Sequence, residues 1–191
     1  MPAARKRATA TGRNIAVRPV TNDNWKDFVR LFETKGSPHH CWCTAYRVRD
    51  SGSLGKSDKK SHMAGLVDNA APIGVLAYDG EEPVGWCSIA PRETYVRLEK
   101  SRTMPRVTPP AISTWAILCF FVPRPRRHQG VTQTLLGGAV AYAKEHGAKV
   151  VEGYPFDTMG ISSSHRGHSQ AFKKAGFQQY GKRWARNLRD G

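Results

Sequence analysis

Acidic residues are scarce in this chain. Its 191 residues hold 15 Asp and Glu against 30 Lys and Arg, a formal net charge of +15. That excess disfavours polycationic substrates, which the field of the whole protein repels. It favours nucleic acid, acidic surfaces or phosphate-bearing cofactors as partners. A long apolar run is missing too. The longest, Ala111–Val122, is interrupted by Ser113 and Thr114 and falls well short of the ~20 residues a membrane span needs. The opening Met1-Pro2-Ala3-Ala4-Arg5-Lys6-Arg7 has no apolar stretch behind it and does not read as a secretory signal. Cysteine is sparse: Cys41, Cys43, Cys87 and Cys119 make four. Cys87 and Cys119 sit in apolar runs, as small buried hydrophobes do. Cys41-Trp42-Cys43 follows His39-His40, but a structural zinc site usually adds a second ligand pair further along, and none is evident. No metal is therefore expected. A reduced, cytoplasmic protein fits this cysteine usage better than a disulfide scaffold.

Enough apolar material is present for one core. Hydrophobic residues make up 39% and aromatics 9%, which argues against wholesale disorder. The length suits a single domain, expected over residues 15–191. A basic arm of residues 1–14, with Arg5, Lys6, Arg7 and Arg13, precedes it and is expected to be mobile. Further positive charge clusters at Arg124, Arg126 and Arg127, and again from Arg166 to Arg189. A solvated basic surface is the simpler reading of these clusters, and a seat for a polyanion the sharper one.

Apolar periodicity outlines the elements. Ile15–Val20 alternates as a strand, and Thr21 or Asn22 caps a helix carrying Trp25, Phe28, Val29 and Phe32, which stops at Gly36-Ser37-Pro38. Ser57 caps a second helix through Met63, Leu66 and Val67. Strands over Pro72–Tyr78 and Pro83–Ala90 join at Asp79-Gly80, a strong hairpin signal. Arg92–Pro110 is charged and proline-rich, a loop or short helix. Ser113–Val122 reads as a strand buried on both faces. A helix from Gly130 follows, with Val131, Leu135, Leu136, Ala139, Val140 and Ala143 on one face and Gly147 closing it. Val150–Tyr154 is a strand, Gln170–Lys174 a short helix, and a final strand falls near Gln179–Trp184. The order predicts an α/β fold with a mixed, mostly antiparallel sheet and one right-handed β-α-β crossover.

The turn before the long helix carries the chemistry. The first N–H groups of a helix lack partners and its dipole favours negative charge, so a strand–turn–helix junction is a ready anion site. Gly130 permits close backbone approach, Thr132 adds a hydroxyl, and the three arginines add charge. No Gly-Lys-Ser/Thr follows, which excludes a Walker loop, and no Gly-x-Gly-x-x-Gly marks a dinucleotide fingerprint.

Arg127-His128-Gln129-Gly130-Val131-Thr132 resembles motif A of the GNAT superfamily of N-acetyltransferases, Arg/Gln-x-x-Gly-x-Gly/Ala. Pro83-Val84-Gly85-Trp86-Cys87-Ser88, Val151-Glu152-Gly153-Tyr154-Pro155 and Phe172-Lys173-Lys174-Ala175-Gly176-Phe177 are similar to further elements of that family in the family's order. With the Cys41-Trp42-Cys43 segment they resemble one subgroup of it. The resemblance covers roughly residues 15–186. It implies acetyl-CoA as donor, a primary amine as acceptor, direct attack, and splayed strands that admit the donor. Its pyrophosphate would lie on the backbone of Arg127, His128, Gln129, Gly130, Val131 and Thr132, and its pantetheine along Phe120, Phe121 and Val122. Ser164 and Phe172 would flank it. Two departures stand out: Thr132 where the motif ends in Gly or Ala, and Phe172 where a tyrosine often protonates the leaving thiolate.

Three carboxylates are candidates for the base: Asp157 just past the strand, Glu152 within it, and Glu93 after the hairpin. Each has a plain alternative, as a turn cap, a paired strand carboxylate and a partner of Arg92 or Arg97 respectively. His39 and His40 read as structural or exposed. Trp42, Tyr46 and Trp86 suit core packing before an acceptor wall. The competing function is a GNAT-fold protein that binds acyl-CoA or nucleic acid without turnover, favoured by Phe172 and the basic arm. Many relatives are homodimers, so a dimer stays open.

Overall fold

The computed structural model of the chain describes residues 14–38, 40–156 and 164–188. The basic arm thus lies, but for Asn14, outside the described residues, as do His39 and Asp157. Strand β1 (Ile15–Pro19) leads through a 3-10 turn, Asn22–Asn24, into helix α1 (Trp25–Glu33). Asn24 Oδ1 accepts from the Thr21 N–H at 2.9 Å, fixing the entry. Phe28, Leu31 and Phe32 form the buried stripe of α1. Helix α2 (Lys56–Asp68) begins at Gly55 rather than Ser57. Asp58 reaches back to accept from the Gly55 N–H at 3.2 Å, and an acid in the first turn suits the helix dipole better than the serine does.

The hairpin of β2 (Val75–Asp79) and β3 (Glu82–Pro91) turns at Gly80, φ +61°. Short helix α3 (Val96–Glu99) occupies the proline-rich stretch. Then come β4 (Thr114–Phe121), α4 (Val131–Glu145), β5 (Val150–Gly153) and α5 (Ser169–Lys174). The single final strand expected near residues 179–184 is instead a hairpin, β6 (Gln178–Tyr180) and β7 (Arg183–Asn187), turning at Gly181 with φ +63°. All of β6 is exposed, so it carries no alternation by which sequence could separate it from β7.

Among the described residues seven strands form one sheet in the order β1-β2-β3-β4-β5-β7-β6. Among these strands only the β4–β5 pair is parallel, and α4 makes their crossover. The fold is α/β with a mixed, mostly antiparallel sheet. On one face α4 packs Leu135, Leu136, Ala139 and Ala143 against Val75, Ala77, Trp115 and Ile117. Close approach depends on Gly138, where an added Cβ would stand 2.5 Å from Val17 Cγ1. On the opposite face Phe28, Phe32, Trp42, Trp86 and Phe121 form an aromatic cluster, with Phe32 stacked on Trp42 at 5.4 Å. Trp42 and Trp86, both fully buried, are therefore core residues.

Two irregularities of β4 shape the site. Ser88 of β3 pairs with Cys119, but its neighbour Ile89 pairs with Ile117, so Leu118 is an extra residue, a β-bulge. On its other side β4 pairs with β5 only from Thr114 to Ile117, because β5 ends at Gly153. Residues Leu118–Phe121 run beyond the end of β5 and the strands part there. Gly153 is tied to this geometry: a Cβ on it would lie 2.1 Å from Phe172 Cε1. Gly153→Ala is expected to destabilise the fold by about 1–3 kcal/mol through overpacking, read as a lower urea midpoint with an unchanged denaturant slope.

Candidate active site

Where β4 and β5 part, a cleft of about 920 Å3 opens. Phe120 and Phe121 of β4 and the following Val122 form one wall, and Arg127, His128, Gly130, Val131 and Thr132 form its end. The third side comes from the loop after α1, through Gly36, Ser37, Pro38 and His40, and from the start of α5, through Gly167, His168 and Gln170. Gly130 caps α4 in the left-handed conformation, φ +82°, with open space where a Cβ would stand. His128 is left-handed as well, φ +61°. The ladder of α4 begins with the Gln133 and Thr134 N–H groups, both bonded to the Gly130 carbonyl. The N–H groups of Val131 and Thr132 precede it, at the positive end of a 15-residue helix.

The arginines of this turn divide. Arg126 is held by Asp79 at 2.9 Å and by Glu82, so its charge braces the β2–β3 hairpin. Arg127 Nε donates to the Val122 carbonyl at 3.0 Å and shapes the turn. Two of the three arginines are thus engaged within the fold, while the helix end presents the N–H groups of Val131 and Thr132 to the cleft.

A second, narrower cavity of about 420 Å3 continues from the first. Pro38, His40, Cys119 and His165 line both, so they form the waist between the two. Cys41, Cys43, Ala45, Tyr46, Leu118, Ser88 and Tyr95 line the inner chamber. Burial pushes the thiols of Cys41 and Cys87 up. Cys43 is raised first by its hydrogen bond with Cys119 and then by burial. Nucleophilic use of these three thiols at neutral pH is disfavoured. Burial lifts Tyr95 to about 12, against the pull of Arg47. The unfolded chain ionises such a tyrosine near pH 10 and the folded chain holds its proton to about 12. Stability is therefore full below pH 10 and is lost between pH 10 and 12, by about 1.4 kcal/mol per pH unit for this residue. Denaturant titrations across that window check the slope, which Tyr95→Phe should reduce.

A family model of GNAT acetyltransferases matches residues 18–154, well over half of the chain. The chain belongs to the GNAT acetyltransferase family. Among solved structures, an N-acetyltransferase from Staphylococcus aureus Mu50 matches 92% of this chain and 99% of its own, with a TM-score of 0.56 and 12% identity. The yncA protein of Salmonella typhimurium, solved with its cofactor acetyl-CoA, matches 93% of this chain and 95% of its own, with a TM-score of 0.54 and 10% identity. Identities this low establish the GNAT fold alone. A comparison with curated proteins finds no match.

Of the residues that the GNAT resemblance singles out, Phe120, Phe121, Val122, Arg127, His128, Gly130, Val131 and Thr132 line the cleft. Gln129 does not line it; its side chain turns back to donate to the Pro125 carbonyl at 2.7 Å. Ser164 begins a 3-10 turn, Ser164–Arg166. Phe172 is fully buried beneath the cleft, edge-on to Phe120 and Phe177. The carboxylates are not gathered at the site. Glu93 is exposed and lines neither cavity. Glu152 is fully buried: Arg92 Nε donates to it at 2.9 Å, the Tyr154 hydroxyl at 2.6 Å and the Val107 N–H at 2.6 Å. Glu99 also pairs with Arg92. Burial lowers the Arg92 guanidinium, but Tyr154, Glu152 and Glu99 outweigh it and hold the group above its ordinary range. Burial and Glu152 raise Tyr154 far above a free tyrosine. Asp157 lies outside the described residues.

Residues of the loop after α1 line the cleft, and Pro38 and His40 both cavities, without having been legible as site residues: Gly36-Ser37-Pro38 signals only a helix stop, and His40 reads as structural or exposed. Among the described residues no group of three or more His, Cys, Asp or Glu is placed to hold a metal ion. No described helix is long and apolar enough to cross a membrane.

Proposed function

We propose that this chain is an acetyl-CoA-dependent N-acetyltransferase acting on a primary amine by direct attack. One observation carries the reading: the parted edge of β4 and the N-terminus of α4 open into the same cleft. The second end suits a pyrophosphate, through the N–H groups of Val131 and Thr132 and the open space over Gly130. The first suits an extended amide-bearing arm, through strand residues Leu118–Phe121 that β5 does not pair. A strand N–H at this edge also supplies a donor to the oxygen of the thioester carbonyl as it gains charge. The amine nitrogen forms the new C–N bond, the C–S bond breaks, and CoA leaves as a thiolate that takes up a proton.

The base is proposed to be water or a group near the waist, since Glu152 is committed to Arg92 and Glu93 faces solvent. Asp157 keeps its candidacy by its place in the chain after β5. Phe172 cannot protonate the thiolate, so a water is proposed for that step too. Loss of such a donor typically costs about 10²–10⁴-fold in rate. Phe172 is also the observation that favours a second reading, a GNAT-fold protein that binds acyl-CoA or, through its basic surface, nucleic acid, without turnover. The four free thiols fit a reducing, cytoplasmic setting.

Calorimetric titration with acetyl-CoA, followed by free-thiol release with amine acceptors, tests the proposal. Saturable binding with amine-dependent thiol release supports it. Binding without release under any amine favours the second reading, and no binding at millimolar acetyl-CoA overturns both CoA-dependent readings.

A further inference from the structure

The inner chamber holds groups that the transfer reaction itself does not use. Its walls are apolar, from Leu118, Ala45, Tyr46 and the cysteines, and no carboxylate lines it among the described residues. A buried cation stands behind it instead. Arg47 is 6% exposed, and among the described residues no carboxylate pairs with it. Its Nη2 donates to the Ile73 carbonyl at 2.9 Å and to the Tyr95 hydroxyl at 3.1 Å, its plane lies over the Tyr95 ring at 4.4 Å, and its Nε has no partner. An arginine only donates, so the Tyr95 oxygen accepts from it. The Ser88–Tyr95 hydroxyl contact at 3.0 Å uses one of the pair's two hydrogens and leaves the other for the chamber that both residues line. The chamber floor is thus an O–H donor in a positive field. A second ammonium group placed there would be repelled and would find no counter-charge.

The geometry points to an acceptor class: a compact monoamine with an apolar body and a hydrogen-bond-accepting group at the end away from the amine, and not a polyamine or a lysine side chain. This rests on the transferase reading, with the amine presented at the waist beside Cys119 and the body in the chamber. Size agrees. An apolar cavity of about 150 Å3 holds benzene, and about 420 Å3 accommodates a ring, a short arm to the amine and a small polar substituent.

The test compares para-methoxyphenethylamine, phenethylamine, spermidine and Nα-acetyl-lysine amide as acceptors, with acetyl-CoA binding measured on the same protein. The expected order puts para-methoxyphenethylamine first, about tenfold or more in kcat/KM above spermidine and the lysine amide. Ser88→Ala should erase its advantage over phenethylamine, a change of about two- to tenfold. Ala45→Phe should fill the chamber and abolish turnover of both aromatic amines while acetyl-CoA still binds, which also establishes that the variant is folded. Preference for spermidine or the lysine amide, turnover of none of the four with acetyl-CoA bound, or an Ala45→Phe enzyme as active as the parent each overturn the acceptor class and leave donor binding standing. Failure of acetyl-CoA to bind overturns the transferase reading itself, and the acceptor class with it.

Discussion

Glu152→Ala is expected to lower the unfolding free energy by about 3–5 kcal/mol, the cost of leaving a buried charge without its partner. Arg92 is 1% exposed and Glu152 fully buried. Removing the carboxylate strands the guanidinium beneath β5 with Glu99 as its remaining acid, and also frees the Tyr154 hydroxyl and the Val107 N–H. For a domain of this size the loss corresponds to a fall in Tm of about 6–20 °C. The double change Arg92→Leu with Glu152→Leu should recover much of it, since an apolar pair of similar volume avoids the stranded charge. Thermal unfolding of the two variants checks this. A Glu152→Ala protein as stable as the parent, and inactive, would instead mark Glu152 as the base. The network ties the Arg92–Val107 stretch to β5, so part of the activity lost in Glu152→Ala should follow from a displaced β5 end rather than from missing chemistry.

Gly130→Val is expected to weaken acetyl-CoA binding by about 10²–10⁴-fold, the equivalent of losing two charge-assisted hydrogen bonds at about 1.5–3 kcal/mol each. Gly130 sits at φ +82°, which a β-branched residue adopts only under strain. Its Cβ would project into space where no atom lies within 4 Å. The side chain would stand over the N–H groups of Val131 and Thr132 and deny them to a phosphate. The strain alone should cost about 1–2 kcal/mol of stability, so modest loss in unfolding with near-total loss in calorimetric binding is the expected signature. Equal binding by the variant would place the donor elsewhere and remove the support that this turn gives to the proposed function.

Much of the frame was legible because it is local. Val131, Leu135, Leu136, Ala139, Val140 and Ala143 recur with the period of a helix, and all six are buried in α4. Asp79-Gly80 sits between two apolar runs and forms the turn they predict. The order of elements and the motif around Gly130 place the chain in the GNAT family, and the cleft opens beside that motif. Less legible were features with no local signature. Strand β6 lacks alternation, and α2 is capped at Gly55, whose N–H donates to Asp58, rather than at Ser57.

The candidate site itself divides along the same line. Chain order and periodicity alone determined that a buried strand, a glycine turn and an amphipathic helix follow one another, the junction proposed as an anion seat. Only the tertiary structure decided what surrounds that seat. Glu152 meets Arg92 across sixty residues and is thereby withdrawn from the cleft. Arg126 meets Asp79 and Glu82 and lends its charge to a hairpin. Leu118 becomes a bulge through the register of two strands, and Arg47 reaches Tyr95 behind the inner chamber. The reason is physical: helix and turn preferences act between neighbours in the chain, whereas ion pairing, register and cavity shape depend on which distant segments pack together.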